Sequence, residues 1–378
     1  MRRIMLFAAV AGVALAVSAG AQARVIPGQY IVVLEDDVRA APVAAAHARA
    51  GARVLAVYGA ALEGYAARLT PAQLAAVRAD PRVAWIEADQ TVVALPTQTN
   101  PPWGLDRIDQ RSRPLSGTYT YFRTGTGVKA YIIDTGIRFS HTQFGGRAVT
   151  GYDAVNGGSA DDCNGHGTHV AGTVGGSTYG VAKGVTLVGV RVLNCNGSGT
   201  TSGVIAGVNW VTGNHQAGQP AVANMSLGGG ASSALDSAVR NSIADGVSYA
   251  IAAGNGNWAG IAQNACNSSP ARVGEAMTIS ATDSSDRKAS WANYGSCVDW
   301  FAPGVSITSA WYTSNTATRT ISGTSMATPH TAGVAALYLQ GSPTASPASV
   351  RSALYNLTTK GIVTSSSTTN NHLLFTNF

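Results

Sequence analysis

Three side chains with the chemistry of amide hydrolysis stand far apart in this chain. Asp134 ends the apolar run VKAYIID and opens D-T-G, and His166 lies in N-G-H-G-T-H. Ser325 lies in ISGTSMATPHT, where a Gly-Thr turn leads into the helix formers AGVAALYL. A serine hydroxyl is too weak an acid to attack an amide at neutral pH. An imidazole of pKa about 6.5 can take its proton and later return it to a leaving amine. A carboxylate behind the ring fixes its tautomer and stabilises the imidazolium. Taken singly, each residue has a plainer role: a strand-end Asp caps a turn, a His among glycines sits in a loop, and a Ser at a helix start is an N-cap. The three motifs together argue for a nucleophilic triad. The order Asp, His, Ser differs from the chymotrypsin and α/β-hydrolase orders, and G-x-S-x-A is not the G-x-S-x-G elbow.

These residues need elements to hold them. From Trp103 onward, apolar strand-like runs alternate with helical stretches: VKAYIID then HGTHVAGTVGG, LVGVRVL then TSGVIAGVNWVTG, AVANMSL then SALDSAVRNSIADG, VSYAIAAGN, AMTISAT, and the helix of Ser325. Such alternation predicts an α/β fold, a doubly wound and mainly parallel sheet with helices on both faces. In such sheets the site lies at the carboxyl ends of the strands, where Asp134 falls. A helix starting at Ser325 would offer unpaired N–H groups and the positive end of its dipole. Pro329 fits the first helical turn, which tolerates proline. Met326, next to the serine, either is an exposed thioether open to oxidation or packs beneath the helix. Upstream, residues 24–95 read as strand QYIVVL, helix PVAAAHARAG, strands RVLAVY and EGYAARL, a helix with Thr70 as N-cap and Pro71 at its first position, and strand RVAWIEAD. The order βαββαβ predicts a small ferredoxin-like α/β sandwich. The proline-rich LPTQTNPP that follows reads as a linker or processing site.

The bulk composition narrows the class. Of 378 residues only 12% are charged and 44 are glycine, which suits a turn-rich globular protein with room for one large and one small domain. The net charge of +6 is scattered, without a basic block carrying interleaved aromatics, which argues against nucleic-acid binding. Residues 1–23 read as a secretion signal: Arg2 and Arg3, the apolar Ile4–Val17, then small residues suited to cleavage. That apolar run is too short to span a bilayer comfortably, so a secreted, extracellular protein without a membrane anchor is expected. In an oxidising compartment Cys163, Cys195, Cys266 and Cys297 should pair, in one of three ways. Zinc is the weaker alternative, since no C-x-x-C occurs.

On its three motifs the chain resembles the subtilisin-like serine proteases (peptidase S8), in the branch of proteinase K and aqualysin. The resemblance runs from about Trp103 to the end. The upstream sandwich resembles the I9-type inhibitor propeptide found before these proteases. The implied division is signal 1–23, propeptide 24–95 and peptidase domain 96–378. The resemblance implies that Asp134 orients, His166 is the base and Ser325 the nucleophile. Asn255, after Ala252-Ala253-Gly254, would be the oxyanion donor. Gly197, Ser198 and Gly199, with Ser226, Leu227 and Gly228, would pair with an extended substrate, and Ala252, Ala253 and Gly254 would line a neutral pocket. The four-cysteine spacing resembles the aqualysin pattern, implying Cys163 with Cys195 and Cys266 with Cys297.

No cofactor is implied for the chemistry. A structural calcium is implied at Gly274, Ala276 and Asp299, and a second at Asp106, Asp109 and Gln110, with Ser116 and Thr118 where relatives can carry acidic or amide ligands. The function implied is a monomeric, secreted serine endopeptidase of broad specificity. It acts on proteins or peptides, is cut from its own proenzyme and is inhibited by its own propeptide. Two other readings are a non-catalytic binding module on the same fold and an esterase. The first usually lacks one of the four chemical residues, all present here; the second does not need extended substrate edges.

Overall fold

The computed structural model describes residues 25–91 and 96–378. The signal segment and the residues around the expected cut near 95 lie outside the described residues. The described chain falls into two compact units that divide near residue 95.

The smaller unit has the expected element order: strand Val25–Leu34, helix Ala40–Arg49, strands Arg53–Tyr58 and Gly64–Arg68, helix Pro71–Arg78 and strand Val83–Gln90. Its sheet is antiparallel, with Val25–Leu34 between Gly64–Arg68 and Val83–Gln90 and with Arg53–Tyr58 outside Gly64–Arg68. The second helix starts where the sequence says. Gln73 N donates to Thr70 Oγ1, and Thr70 N donates to the Gln73 side chain, with Pro71 opening the helix.

The larger unit is built on seven strands, every neighbouring pair parallel. In spatial order they are Trp300–Pro303, Met277–Thr282, Ser248–Ala252, Ala221–Met225, Lys129–Asp134, Thr186–Arg191 and Ala148–Asp153. Strand order reverses around Lys129–Asp134, the first of them in sequence. Lys129–Asp134 leads to Ala148–Asp153 on one side, whereas its neighbour Ala221–Met225 leads to Ser248–Ala252 on the other. That leaves a crevice at the carboxyl ends, beside Asp134.

Two of these strands, Ala148–Asp153 and Trp300–Pro303, are absent from the sequence-based expectation. Both are edge strands. The first carries the half-exposed Val149 and a glycine, and the second is four residues long and ends in proline. Neither presents the long apolar run of a strand buried on both faces.

Side chains of the central strands alternate between two cores. Ala130 and Ile132 face the helices His166–Gly175 and Thr324–Gly341, in a cluster with Val170, Val174 and Ala335. Tyr131 and Ile133 face Thr201–Asn214 and Ser233–Asp245, with Val208, Val211 and Val239. No described helix is long and apolar enough to cross a membrane.

Ile132 sits at the centre of this sheet and is fully buried. Ile132→Ala is expected to cost about 2–5 kcal/mol and Ile132→Val about 1 kcal/mol. Denaturant midpoints of the two variants, made in a Ser325→Ala background to suppress self-digestion, check the ratio; equal losses would contradict the packing described.

Candidate active site

Asp134 closes its strand with no exposed surface. Its Oδ1 accepts from Thr135 N at 2.8 Å and from His166 Nδ1 at 2.7 Å. Because the carboxylate can only accept, Nδ1 carries the proton, and Nε2 of the neutral ring is left as the acceptor. Burial acts to lower the His166 pKa. The charge of Asp134, its hydrogen bond and the charge of Asp162 outweigh this and hold it above the ordinary imidazole value.

The ring is placed by a network that the sequence motifs only half reveal. His166 opens its helix, after Gly165 at φ +109°. Asp162 braces that start: Oδ1 accepts from Asn164 N, Gly165 N and Thr135 Oγ1, each at 2.9 Å, and Oδ2 accepts from Thr168 N at 2.9 Å. Thr135 Oγ1 in turn accepts from Gly167 N at 2.9 Å. The D-T-G and H-G-T motifs meet backbone to backbone, since a Cβ on Gly167 would stand 2.1 Å from the Gly136 carbonyl oxygen. Asp162 was missed in the sequence; an Asp ahead of N-G-H is the pattern of a side chain capping the next turn.

The other two clustered histidines serve structure. His169 Nε2 lies 3.0 Å from the Ile307 carbonyl and 3.1 Å from that of Arg319, and burial pulls its pKa down to about 4. His330 Nδ1 donates to Met326 O at 2.9 Å, and burial brings its pKa to about 4 as well.

Ser325 is the second residue of helix Thr324–Gly341. Pro329 is the sixth, beyond the first turn where it was expected. Its missing N–H is the one that would bond the Ser325 carbonyl. Ser226 supplies the substitute: its hydroxyl donates to Ser325 O at 2.8 Å and accepts from Asn224 Nδ2 at 2.9 Å. Ser325 Oγ donates back to Ser226 O at 3.1 Å, and among the described residues no hydrogen bond joins it to His166. Such catalytic hydrogen bonds are often loose without substrate and tighten when it binds. Met326 is buried in the core, so of its two readings the packed one holds and the oxidisable surface thioether is overturned.

Asn255 is fixed in one orientation. Its Oδ1 accepts from Thr324 N at 2.8 Å and Thr324 Oγ1 at 2.9 Å, which turns Nδ2 outward. Asn255 Nδ2 and Ser325 N lie 3.6 and 3.5 Å from where a Cβ on Gly323 would stand, so two N–H donors converge where glycine leaves space. Asn293, unforeseen in the sequence, holds the preceding A-A-G stretch. It donates to Ala253 O at 2.8 Å and accepts from Gly256 N at 3.0 Å.

Two cavities flank the segment Ser226–Gly230. One, of about 570 Å³, is lined by His166, Gly197, Ser198 and Gly199. The other, of about 440 Å³, is lined by Ala252, Ala253, Gly254, Asn255 and Ser325, with no charged residue on its wall. Both include Ser226, Leu227 and Gly228. Cys163 is bonded to Cys195 and Cys266 to Cys297. The first disulfide ties the loop before His166 to the Gly197–Gly199 edge.

The two implied calcium positions differ. Asp106 accepts from Ser116 N at 3.0 Å and Gly117 N at 2.8 Å, and Asp109 Oδ2 from Thr120 N at 2.7 Å. Gln110 Oε1 also accepts from Ser116 N. Asp109 Oδ1 is buried without a partner, and burial first, with Asp106 adding, pushes this carboxyl up to about 6. An orphaned carboxylate oxygen fits a cation. At the other position Asp299 and the Ala276 carbonyl are both engaged by Arg351, which does not fit one; Gly274 is exposed nearby. No group of three or more acidic, His or Cys side chains placed to hold a metal occurs among the described residues.

A parallel sheet with a bonded Asp–His pair, and a serine at a helix start, on the two cavities that share Ser226–Gly230 is the frame of a subtilisin-like serine proteinase. Residues 125–374 match the model of the subtilase family and residues 29–94 that of peptidase inhibitor I9; the chain belongs to the subtilase family. It is 58% identical to an extracellular serine proteinase of Thermus sp. (strain Rt41A), over 89% of this chain and 86% of that protein. It is 54% identical to alkaline serine exoprotease A of Vibrio alginolyticus, over 85% of this chain and 60% of that longer protein. The crystal structure of a cold adapted subtilisin-like serine proteinase matches with TM-score 0.71 at 56% identity, covering 74% of this chain and 100% of the other.

The contact between Gly136 and Gly167 leaves no room for a methyl group. Gly167→Ala is expected to yield little folded protein, or protein with at least a hundredfold lower kcat/KM on a chromogenic peptide. Near-normal yield and activity would show that the two motifs do not depend on this contact.

Proposed function

We propose that the chain is a secreted serine endopeptidase of broad specificity in which Asp134, His166 and Ser325 act as the catalytic triad. The 2.7 Å Asp134–His166 bond, with His166 lining one and Ser325 the other of two cavities that share Ser226–Gly230, carries this proposal. Ser325 Oγ leaves the Ser226 carbonyl and attacks the substrate carbonyl carbon as His166 Nε2 takes its proton. Asp134 stabilises the imidazolium that forms. The developing oxyanion is met by Asn255 Nδ2 and Ser325 N–H. Collapse of the tetrahedral intermediate breaks the C–N bond, and His166 gives its proton to the leaving amine. Water then repeats the sequence on the acyl-enzyme. None of these steps calls for a cofactor.

An extended peptide added along Gly197–Gly199 and Ser226–Gly228 fits the glycine-lined edges. The uncharged cavity favours large apolar or aromatic side chains over basic ones. The I9-type segment acts as inhibitor of the same cleft, with 1–23 as signal, 24–95 as propeptide and 96–378 as the mature, monomeric enzyme. A calcium ion at Asp106, Asp109 and Gln110 would neutralise buried charge rather than take part in the reaction.

Full-length Ser325→Ala, expressed in a protease-free host, should accumulate uncut and inert on casein. Normal maturation of that variant would exclude self-processing, and an inert wild-type protein would favour a binding module. The raised His166 pKa sets the acid limb of kcat/KM. Activity is lost as pH falls through that value, which lies above about 6.5. Asp134→Asn removes the group that raises it, so the limb should move to lower pH while kcat falls by on the order of 10⁴. An unmoved limb would assign it to another group.

A further inference from the structure

Arg351 lies on helix Pro347–Leu357, close to the C-terminus. Its guanidinium spans two groups that the family resemblance assigns to calcium. Nε donates to the Ala276 carbonyl at 3.1 Å, and Nη2 donates to Asp299 Oδ1. Asp299 is nearly buried, and its second oxygen accepts from Thr278 N at 2.7 Å. Both carboxylate oxygens and the carbonyl are therefore committed to N–H donors.

We infer that Arg351 takes the place of a cation at Asp299 and excludes calcium from it. Calcium needs six to eight oxygens at roughly 2.3–2.6 Å. To collect Asp299 and Ala276 it would first have to displace the guanidinium, or else sit against its positive charge. Arginine is suited to the exchange. It stays protonated at every working pH, and its planar fork reaches a carbonyl and a carboxylate at once. The chemical task is the same, neutralising a buried carboxylate and drawing a peptide carbonyl toward it. The difference lies in supply: a metal must be taken from solution, whereas Arg351 is delivered by the fold. The guanidinium also straps the C-terminal helix to the ends of strands Met277–Thr282 and Trp300–Pro303. That corner of the molecule should then be indifferent to chelators.

The Asp106–Asp109 cluster is unchanged in every variant below, so differences in bound calcium report on Asp299 alone. All proteins carry Ser325→Ala in the full chain. Calcium bound per chain is measured by equilibrium dialysis, and Tm is measured in EDTA and in excess calcium chloride. The parent and Asp299→Asn should bind equal numbers of ions. Arg351→Ala should bind one more, with a Tm lower by on the order of 5 °C in EDTA and regained in calcium. Arg351→Ala with Asp299→Asn should lose the added ion. Arg351→Lys, which keeps the charge, should not gain one. Should Asp299→Asn fail to fold, the contrast between the Ala and Lys variants decides. The inference is overturned if the parent binds one more ion than Asp299→Asn, if Arg351→Ala gains none, or if Arg351→Lys gains as many as Arg351→Ala.

Discussion

The site depends on one buried charge. A carboxylate without exposed surface costs several kcal/mol to desolvate unless partners meet it. Asp134 has two hydrogen bonds, both on Oδ1, while Oδ2 is buried without a partner. Its charge is therefore met by the Thr135 N–H and the His166 Nδ1–H, and the ring must not wander. Its anchoring is correspondingly dense. Thr135, next to Asp134, binds both Asp162 and Gly167, so the carboxylate and the helix carrying the ring share one hydrogen-bond network. Gly136 and Gly167 allow the two backbones to approach closely enough for that network to close. The glycines beside Asp134 and His166 thus act as spacers of zero size.

A comparable trade holds at the serine. Most helices would bond the carbonyl of their second residue to an N–H one turn later. Pro329 withholds that N–H, and the Ser226 hydroxyl meets the carbonyl from the neighbouring strand end. The helix start is thereby fastened to the substrate cleft rather than to its own next turn. Thr324 does the same on the other side, bonding Asn255 Oδ1 and accepting from Gly254 N. The proposed oxyanion donor Asn255 is thus held by Thr324, the residue next to the proposed nucleophile Ser325.

How much of this the sequence could disclose follows from where the information lies. Asp134, His166, Ser325 and Asn255 sit in local motifs whose glycines and helix formers state their own backbone requirements. Strands buried on both faces announce themselves as apolar runs, and the alternation of strands with helices was legible from them. The edge strands were not, since Ala148–Asp153 faces solvent at Val149 and Trp300–Pro303 is too short to show a period. Asp162 and Asn293 were missed for a different cause. Asn293 bonds backbone groups 30 or more residues away, which leaves no spacing in the text, while Asp162 caps its own turn like any loop aspartate and reaches the distant Thr135 hydroxyl only in the fold. Pro329 was misplaced by a few residues because a proline past the first turn requires an outside donor, Ser226, that only the fold brings near.

Arg351 illustrates the same limit from the other side. Carbonyl ligands leave no mark on sequence, so the resemblance pointed to Asp299 by its type alone. A carboxylate presents the same type whether its partner is a metal ion or a guanidinium. What separates the cases is whether every oxygen already faces an N–H. At Asp299 both do; at Asp109 one oxygen faces nothing. The two clusters, equal as strings of letters, therefore differ in unmet charge, and only the Asp109 cluster retains a demand that a cation would satisfy.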